Sequence, residues 1–256
     1  MIALLVLVAL IMRVSCAAAA PDLTQFAFQQ RPGSQVSLDA PFRDEASRPV
    51  RLGSIIGAQP TILALGYFHC PNLCGVVRDD LMDALTRSGL QPSDYTLVLL
   101  SIDPSETGTD ASRAKQQDVA RANLSVAPAS WHYLTGNADS VQQVEREVGF
   151  RSRFDAHLKQ FLHPAGIVFL TPQGTVSSYI LGVGYQPGDV RLAVMRAHTG
   201  SIAQAAAPIL LLCFHFDATT GRYTLSILKL LEIACILTIA TVGGMIALAL
   251  HRERRS

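Results

Sequence analysis

The sequence predicts an α/β fold in which a mixed β-sheet is flanked by helices. Apolar runs typical of buried strands alternate with amphipathic helical patterns along most of the chain. Near the end of this region, a tight turn at 171–174 joins two strand patterns, which adds an antiparallel hairpin to the sheet. Together these patterns predict a layered domain that contains both parallel and antiparallel strands.

The first strand–helix unit contains a pair of cysteines. Residues 61–68 form a short apolar run with β-branched and aromatic side chains, which predicts a buried strand. A helical pattern follows and ends at Gly89. Cys70 and Cys74 lie at the junction of this strand and this helix. Cysteines at such a junction make a thioredoxin-like fold the natural candidate.

The other elements follow in chain order. An edge strand at 50–52 precedes the first buried strand. Further strands are predicted at 95–102, 131–136, 166–170 and 175–181, and helices at 107–123, 139–148 and 187–207. Asp110 is a candidate cap for the first of these three helices. Residues 151–162 are polar and irregular, so we expect a surface excursion without regular structure there.

The two ends of the chain predict export and membrane anchoring. An apolar run at 2–12, followed by small residues at 17–20, predicts a signal segment. Residues 233–250 carry no charge and are long enough for a membrane helix, and the basic residues after them predict a cytoplasmic tail. The expected order is a signal segment (1–20), a thioredoxin-like domain (21–208), a juxtamembrane segment (209–228), a transmembrane helix (229–250) and a cytoplasmic tail (251–256).

The composition excludes some classes of protein. The 256 residues carry a net charge of +1, and charged residues make up 16 % of the chain. Neither nucleic-acid binding nor an acidic interaction tail is therefore expected. The chain contains five cysteines but is long enough to build a core without disulfides, so it is not a disulfide-stapled small domain.

The spacing of Cys70 and Cys74 suits metal binding or redox chemistry. Residues four apart on a helix share one face, with Cβ atoms roughly 5–6 Å apart. A disulfide needs a Cβ separation of about 3.8 Å. Two thiolates on one metal ion also approach more closely, so the spacing serves either purpose after a small adjustment and favours metal. Soft thiolates select Cu(I) or zinc, and the helix N-terminus favours the thiolate form. An inert buried pair or structural disulfide is the alternative.

His163 is the candidate third ligand. It directly precedes the apolar strand at 166–170, and in a thioredoxin-like layout the start of that strand faces the cysteine helix. A neutral imidazole there could complete a site with two sulfur ligands and one nitrogen ligand. His69 is expected at most to modulate a cysteine pKa. Cys213 and His215 share one face of a strand-like segment and form a second candidate site, with a packed juxtamembrane strand as the alternative.

Several motifs together resemble the Sco/SenC family, thioredoxin-like copper proteins of cytochrome c oxidase assembly. They are CPNLC at 70–74, SIDP at 101–104, WHYLTG at 131–136 and His163 before a strand. The resemblance extends over about 41–207. It implies that Cys70, Cys74 and His163 bind copper, as Cu(I) or Cu(II).

The resemblance also implies partners and a location. The protein would deliver copper to the binuclear copper centre of cytochrome c oxidase subunit II, or reduce the cysteines of that centre. Other periplasmic copper chaperones or thiol reductases are further implied partners. The C-terminal anchor resembles a bacterial subgroup, which implies a single-pass protein of the inner membrane with its functional domain in the periplasm. Gly75 stands where proline is usual in the family, and Pro164 where a hydroxyl residue is usual. Pro164 also suggests a cis peptide bond.

Two functional hypotheses follow, and whether the protein is an enzyme stays open between them. The first is a membrane-anchored copper metallochaperone. The alternative is a thiol–disulfide oxidoreductase in which Cys70 attacks a disulfide and Cys74 resolves the mixed disulfide, with His163 as an accessory. A peroxidase-like redox sensor is a third, weaker reading. The effect of His163→Ala on copper binding and on thiol exchange distinguishes the first two.

Overall fold

The computed structural model describes residues 28–69, 74–157 and 159–204, together with 216–217, 222–223, 235–236, 238 and 241–244. Within these ranges, no helix is both long enough and apolar enough to cross a membrane. The predicted signal segment and most of the predicted transmembrane helix lie outside them.

The chain alternates strands with helices, as the sequence predicts. The strands are β1 (Pro41–Arg43), β2 (Pro49–Arg51), β3 (Thr61–Gly66), β4 (Thr96–Ser101), β5 (Trp131–Leu134), β6 (Arg153–Asp155), β7 (Gln160–Leu162), β8 (Gly166–Leu170), β9 (Val176–Leu181), β10 (Phe216–Asp217) and β11 (Arg222–Tyr223). The α-helices are α1 (Cys74–Ser88), α2 (Gly108–Arg121), α3 (Ala138–Val148) and α4 (Pro187–His198).

A five-stranded mixed sheet in the order β5-β4-β3-β8-β9 organises the domain. β3, β4 and β5 run parallel, whereas β8 pairs antiparallel with β3, and β9 antiparallel with β8. The parallel strands are joined by helices, as parallel pairing requires. The predicted mixed sheet flanked by helices is confirmed, and this arrangement fits a thioredoxin-like fold.

The sheet separates two apolar cores, one on each face. Ile62 and Ala64 of β3 pack on the same side as α1, α2 and α4. Leu63 and Leu65 pack on the opposite side, against α3 and residues that precede β3. Because both faces of β3 are covered, its residues 61–65 are buried without interruption, which explains the apolar run in the sequence. The central strand therefore leads from the interior of the domain directly to the cysteine segment.

The ends of α3 follow standard capping rules. Asn137 precedes the helix, and its side-chain oxygen accepts a hydrogen bond of 2.8 Å from the Ser140 backbone N–H. Gly149 ends the helix in the left-handed conformation with a φ of 68°. A Cβ atom at this glycine would lie 1.8 Å from the Gln29 carbonyl oxygen, so only glycine fits here.

The cap at Asn137 gives a first testable prediction. Asn137→Ala removes the acceptor for the Ser140 N–H and is expected to lower the free energy of unfolding by about 1 kcal/mol. Asn137→Ser keeps a capping oxygen and serves as the matched control. Chemical denaturation of the two variants and the wild type measures the difference, and equal losses for alanine and serine would contradict the capping role.

Three details differ from the sequence-based expectations. The predicted irregular excursion at 151–162 is instead an antiparallel pair of strands, β6 and β7, with Phe154 opposite Phe161. The helix α4 ends at His198 and does not extend to residue 207. Asp110 is the third residue of α2 and not its cap. Its carboxylate accepts hydrogen bonds from the backbone N–H and the hydroxyl of Thr107, which is the N-cap residue.

Candidate functional site

The cysteine segment joins the end of β3 to the start of α1. β3 ends at Gly66, residues 67–69 follow, and α1 begins at Cys74. Cys70 lies outside the described residues, and the side chain of Cys74 is likewise not part of the description. The described structure therefore defines the surroundings of the two cysteines through the residues on either side of them.

Strand pairing brings His163 to this end of β3. β8 runs antiparallel to β3, with Ile167 opposite Ala64, so the residues before β8 lie beside the residues after β3. A small cavity of about 20 Å³ marks the meeting point. Its lining includes Phe68, which precedes the cysteine segment, Val77, which follows it, and His163. The histidine predicted as a third ligand is thus held next to both ends of the cysteine segment.

The ring of His163 is oriented by aromatic contacts and by one backbone carbonyl. Phe150 stacks on it at a centroid distance of 5.7 Å, and Tyr67 meets it edge-on at 5.9 Å. The Nδ1 atom lies 2.9 Å from the carbonyl oxygen of Pro164. Because a carbonyl oxygen can only accept, Nδ1 carries the proton in the neutral ring, and the lone pair lies on Nε2. The described part of the chain contains no cis peptide bond, so the cis form suggested for Pro164 is wrong.

A buried carboxylate holds the strand end before Cys70. The side chain of Glu106 is 3 % exposed. It accepts hydrogen bonds from the backbone N–H of Phe68 at 2.8 Å, from that of His69 at 2.6 Å, and from the hydroxyl of Ser101 at 2.6 Å. Three donors satisfy this carboxylate where it is removed from water. Glu106 therefore fixes the backbone at the point where the chain enters the cysteine segment.

His69 is held against the same region of the fold. Its Nδ1 lies 3.3 Å from Glu106, its Nε2 lies 3.3 Å from Asp110, and Arg113 approaches Nε2 at 3.1 Å. Asp110 and Arg113 both belong to α2. The first turns of α2 therefore contact His69, the residue directly before Cys70. From the sequence, His69 was expected at most to modulate a cysteine pKa.

A buried ion pair holds the other end of the segment. Arg78, one turn after Cys74 in α1, forms two hydrogen bonds with the carboxylate of Asp118, at 3.0 and 2.7 Å. The hydroxyl of Tyr133 donates to the same carboxylate at 2.7 Å. Burial opposes the charge of Arg78, but the hydrogen bonds and the charge of Asp118 raise the pKa of the guanidinium above its usual value. The guanidinium and the carboxylate form a buried pair without net charge, which fixes α1 to α2 one helical turn after Cys74.

Sequence reasoning missed Glu106, Arg78 and Asp118. A signal for Asp118 exists, because Ala111, Ala114 and Asp118 follow helical spacing on the face of α2 that is buried. An acid on such a face implies a buried partner. Glu106 carries no comparable signal, since its burial depends on the adjacent ends of β3 and β4.

Among the cysteines and histidines that the structure describes, only His163 lines the small cavity. Cys213 and His215 lie outside the described residues. Cys235 is described and exposed. His132 lies on β5, where burial lowers its pKa. His157 and His198 are exposed.

The surroundings can support thiolate chemistry and coordination by nitrogen. The helix N-terminus at Cys74 stabilises a thiolate nearby. The neutral imidazole of His163 presents its lone pair on Nε2, which is the form that binds metals. Within the described residues alone, no group of three or more His, Cys, Asp or Glu side chains is arranged to hold a metal ion. A complete metal site here would need the cysteines as well as His163.

Comparison with known families gives a match over most of the domain. A model of the SCO1/SenC family matches residues 32–194. No curated protein sequence matches the chain significantly.

Several solved structures of similar fold align with this chain over almost their entire length. A putative electron transfer protein from Aquifex aeolicus VF5 is 22 % identical, with a TM-score of 0.58, and the match covers 67 % of this chain and 96 % of that one. ScoI of Arabidopsis thaliana with copper bound is 16 % identical, with a TM-score of 0.51 and coverages of 64 % and 99 %. BsSco, described as a member of the Sco family of cytochrome c oxidase assembly proteins with a disulfide switch, is 18 % identical, with a TM-score of 0.51 and coverages of 66 % and 97 %.

Proposed function

Since this chain belongs to the SCO1/SenC family, whose model matches residues 32–194, we propose that it is a copper metallochaperone for cytochrome c oxidase. Cys70, Cys74 and His163 bind the copper in this proposal, and the acceptor is the binuclear copper centre of oxidase subunit II. Residues 229–250 anchor the protein in the bacterial inner membrane, with the domain in the periplasm. The copper bound by ScoI of Arabidopsis thaliana supports a copper-binding role in oxidase assembly.

The observation that carries the proposal is the position of His163. The antiparallel pairing of β8 with β3 brings this histidine, distant in sequence, beside Phe68 and Val77, which flank the cysteine segment. Two thiolates and one imidazole form a donor set suited to copper. The proton on Nδ1 of His163 leaves Nε2 as the coordinating atom.

The surrounding residues prepare the site for its cargo. The N-terminus of α1 favours the thiolate forms that bind soft metals. Phe150 and Tyr67 restrict rotation of the His163 ring. Copper would then pass to the acceptor by exchange of ligands: each Cu–S bond to this chain is replaced by a Cu–S bond to a cysteine of the acceptor, and no bond within either polypeptide changes. A membrane anchor would raise the local concentration near a membrane-bound acceptor.

A second function is favoured by the same electrostatics. With the two cysteines reduced, the Cys70 thiolate attacks a disulfide of the acceptor, which breaks that bond and releases one thiolate. The Cys74 thiolate then attacks the mixed disulfide, so that Cys70 and Cys74 become oxidised and the acceptor gains two electrons and, from solvent, two protons. The helix N-terminus supports this step because it stabilises a thiolate.

Copper stoichiometry of the anaerobically reduced, full-length protein tests the metallochaperone proposal. We expect one Cu(I) per wild-type chain. We expect Cys70→Ala, Cys74→Ala and His163→Ala each to weaken copper binding by at least about tenfold, because each removes one ligand. His198→Ala is the matched control, since this histidine is exposed on α4, away from the site.

A parallel assay of thiol–disulfide exchange separates the two functions. If His163→Ala weakens copper binding and leaves exchange unchanged, the metallochaperone function is supported. If His163→Ala binds copper as tightly as the wild type, the copper site proposed here is wrong, and the oxidoreductase function is favoured.

A further inference from the structure

A cleft lined by arginines lies next to His163. It has a volume of about 360 Å³ and is lined by the end of α3 and the residues that lead into β6. Arg146, Arg151 and Arg153 belong to this lining, and all three are exposed. Phe150 also lines the cleft and stacks on His163 at 5.7 Å. Phe150 thus links the cleft to the candidate copper ligand.

The cleft carries a clear excess of positive charge. Its lining contains three arginines and one acidic residue, Glu145. Glu145 is buried, and its carboxylate accepts a hydrogen bond of 2.5 Å from the Ser152 hydroxyl. Even with Glu145 ionised, the arginines leave two positive charges in excess. Such a cleft attracts carboxylates, and guanidinium groups bind them in a directional, two-point manner.

An exposed aromatic residue lies on the other face of β6 from Arg153, because successive side chains of a strand point to opposite faces. Phe154, next to Arg153 in β6, is 53 % exposed. Its ring packs on Phe161 at 5.2 Å, Phe161 contacts Tyr67 at 5.9 Å, and Tyr67 contacts His163 at 5.9 Å. The β6–β7 pair is therefore attached to the site by ring contacts, while its own Phe154 faces outward. Exposed aromatic and arginine side chains are the types that dominate protein interfaces.

We define the docking surface as Arg146, Arg151 and Arg153. We propose that the docking surface binds an acidic segment of a protein partner and so holds that partner beside His163. The inference rests on the proposed function, for which it names the kind of surface that the copper acceptor presents, namely a cluster of carboxylates. A concave cleft fits a protein segment better than it fits a flat anionic membrane.

The test compares two double variants of the full-length protein with equal changes in net charge. Arg146→Glu/Arg153→Glu reverses two charges of the docking surface. Arg191→Glu/Arg196→Glu reverses two exposed charges on α4, which packs on the other face of the sheet. The first probe is the soluble domain of oxidase subunit II from the same organism. The second is a fluorescent peptide of alternating glutamate and leucine.

The expected result is a loss of affinity confined to the docking surface. We expect Arg146→Glu/Arg153→Glu to weaken binding of both probes by roughly tenfold or more at low salt, and Arg191→Glu/Arg196→Glu to change it by less than about twofold. Added salt should weaken wild-type binding. Arg146→Gln/Arg153→Gln, which removes charge without reversing it, should give an intermediate loss. Circular dichroism establishes that each variant is folded.

The remaining outcomes distinguish failure of this surface from failure of the proposed function. If subunit II binds the wild type and both charge-reversed variants equally, the docking surface is wrong and the proposed function stands. If the peptide binds through the docking surface but subunit II does not bind at all, the surface is supported and subunit II is not the partner. A third measurement uses vesicles of phosphatidylglycerol. If Arg146→Glu/Arg153→Glu loses the wild-type binding to these vesicles but keeps its binding to both protein probes, the surface contacts membrane lipid and the proposal is overturned.

Discussion

Replacing Glu106 with alanine is expected to lower the free energy of unfolding by roughly 3 kcal/mol or more. The substitution leaves the backbone N–H groups of Phe68 and His69 without their acceptor, together with the hydroxyl of Ser101. A buried polar group that loses its partner costs about 1–3 kcal/mol. Glu106→Gln keeps the shape and one acceptor oxygen, so we expect a smaller loss.

Hydrogen exchange locates this effect. Denaturant is added to the wild type until its free energy of unfolding equals that of Glu106→Ala. Under these conditions, the amide protons of Phe68 and His69 should exchange faster in Glu106→Ala than in the wild type. Asp94→Ala is the control, because the exposed Asp94 also accepts a backbone hydrogen bond, from Gln91, and its loss should cost less than about 1 kcal/mol. Unchanged exchange at Phe68 and His69 would show that Glu106 does not hold the strand end.

Asp118→Ala is expected to destabilise the protein by about 3–5 kcal/mol, the cost of leaving a buried charge without its partner. The side chain of Arg78 is only 12 % exposed, so water molecules cannot replace its two hydrogen bonds to Asp118. The hydroxyl of Tyr133 loses its acceptor as well. Thermal or chemical unfolding measures the loss.

An exposed ion pair between the same two helices serves as the comparison. Asp79 of α1 lies 3.4 Å from Arg121 of α2, and both side chains are more than two-fifths exposed. Asp79→Ala should cost less than about 1 kcal/mol. The double variant Arg78→Met/Asp118→Leu should recover most of the stability lost in Asp118→Ala, because it removes both charges together. A loss in the double variant as large as in the single one would contradict this account.

The elements of the sheet were predictable because their signals are local. The continuous apolar run at 61–65 reflects burial of β3 on both faces, and Gly149 marks the end of α3 through its left-handed conformation. The β6–β7 pair was missed because it lies outside the main sheet and is only partly buried. Its strands therefore lack the apolar runs by which the other strands were recognised.

The sequence points to candidate ligands, but not to the residues that support the segment between them. Cys70, Cys74 and His163 belong to recognisable motifs, and the order of the strands suffices to bring His163 to the end of β3. Glu106 and Asp118 act through contacts with residues far from them in sequence, so their roles depend on how β3, α1 and α2 pack. Helical spacing marks Asp118 as buried but does not name its partner, and Glu106 has no such signal.

The position of α2 and of the loop before it has a consequence for the cost of ligand binding. Glu106 and Asp110 hold His69 on one side of the cysteine segment, while Asp118 holds Arg78 on the other. Both flanking residues are thus held by α2 and the loop before it. Residues that are already held in place lose little conformational entropy when a ligand binds beside them, so a larger part of the bond energy becomes affinity.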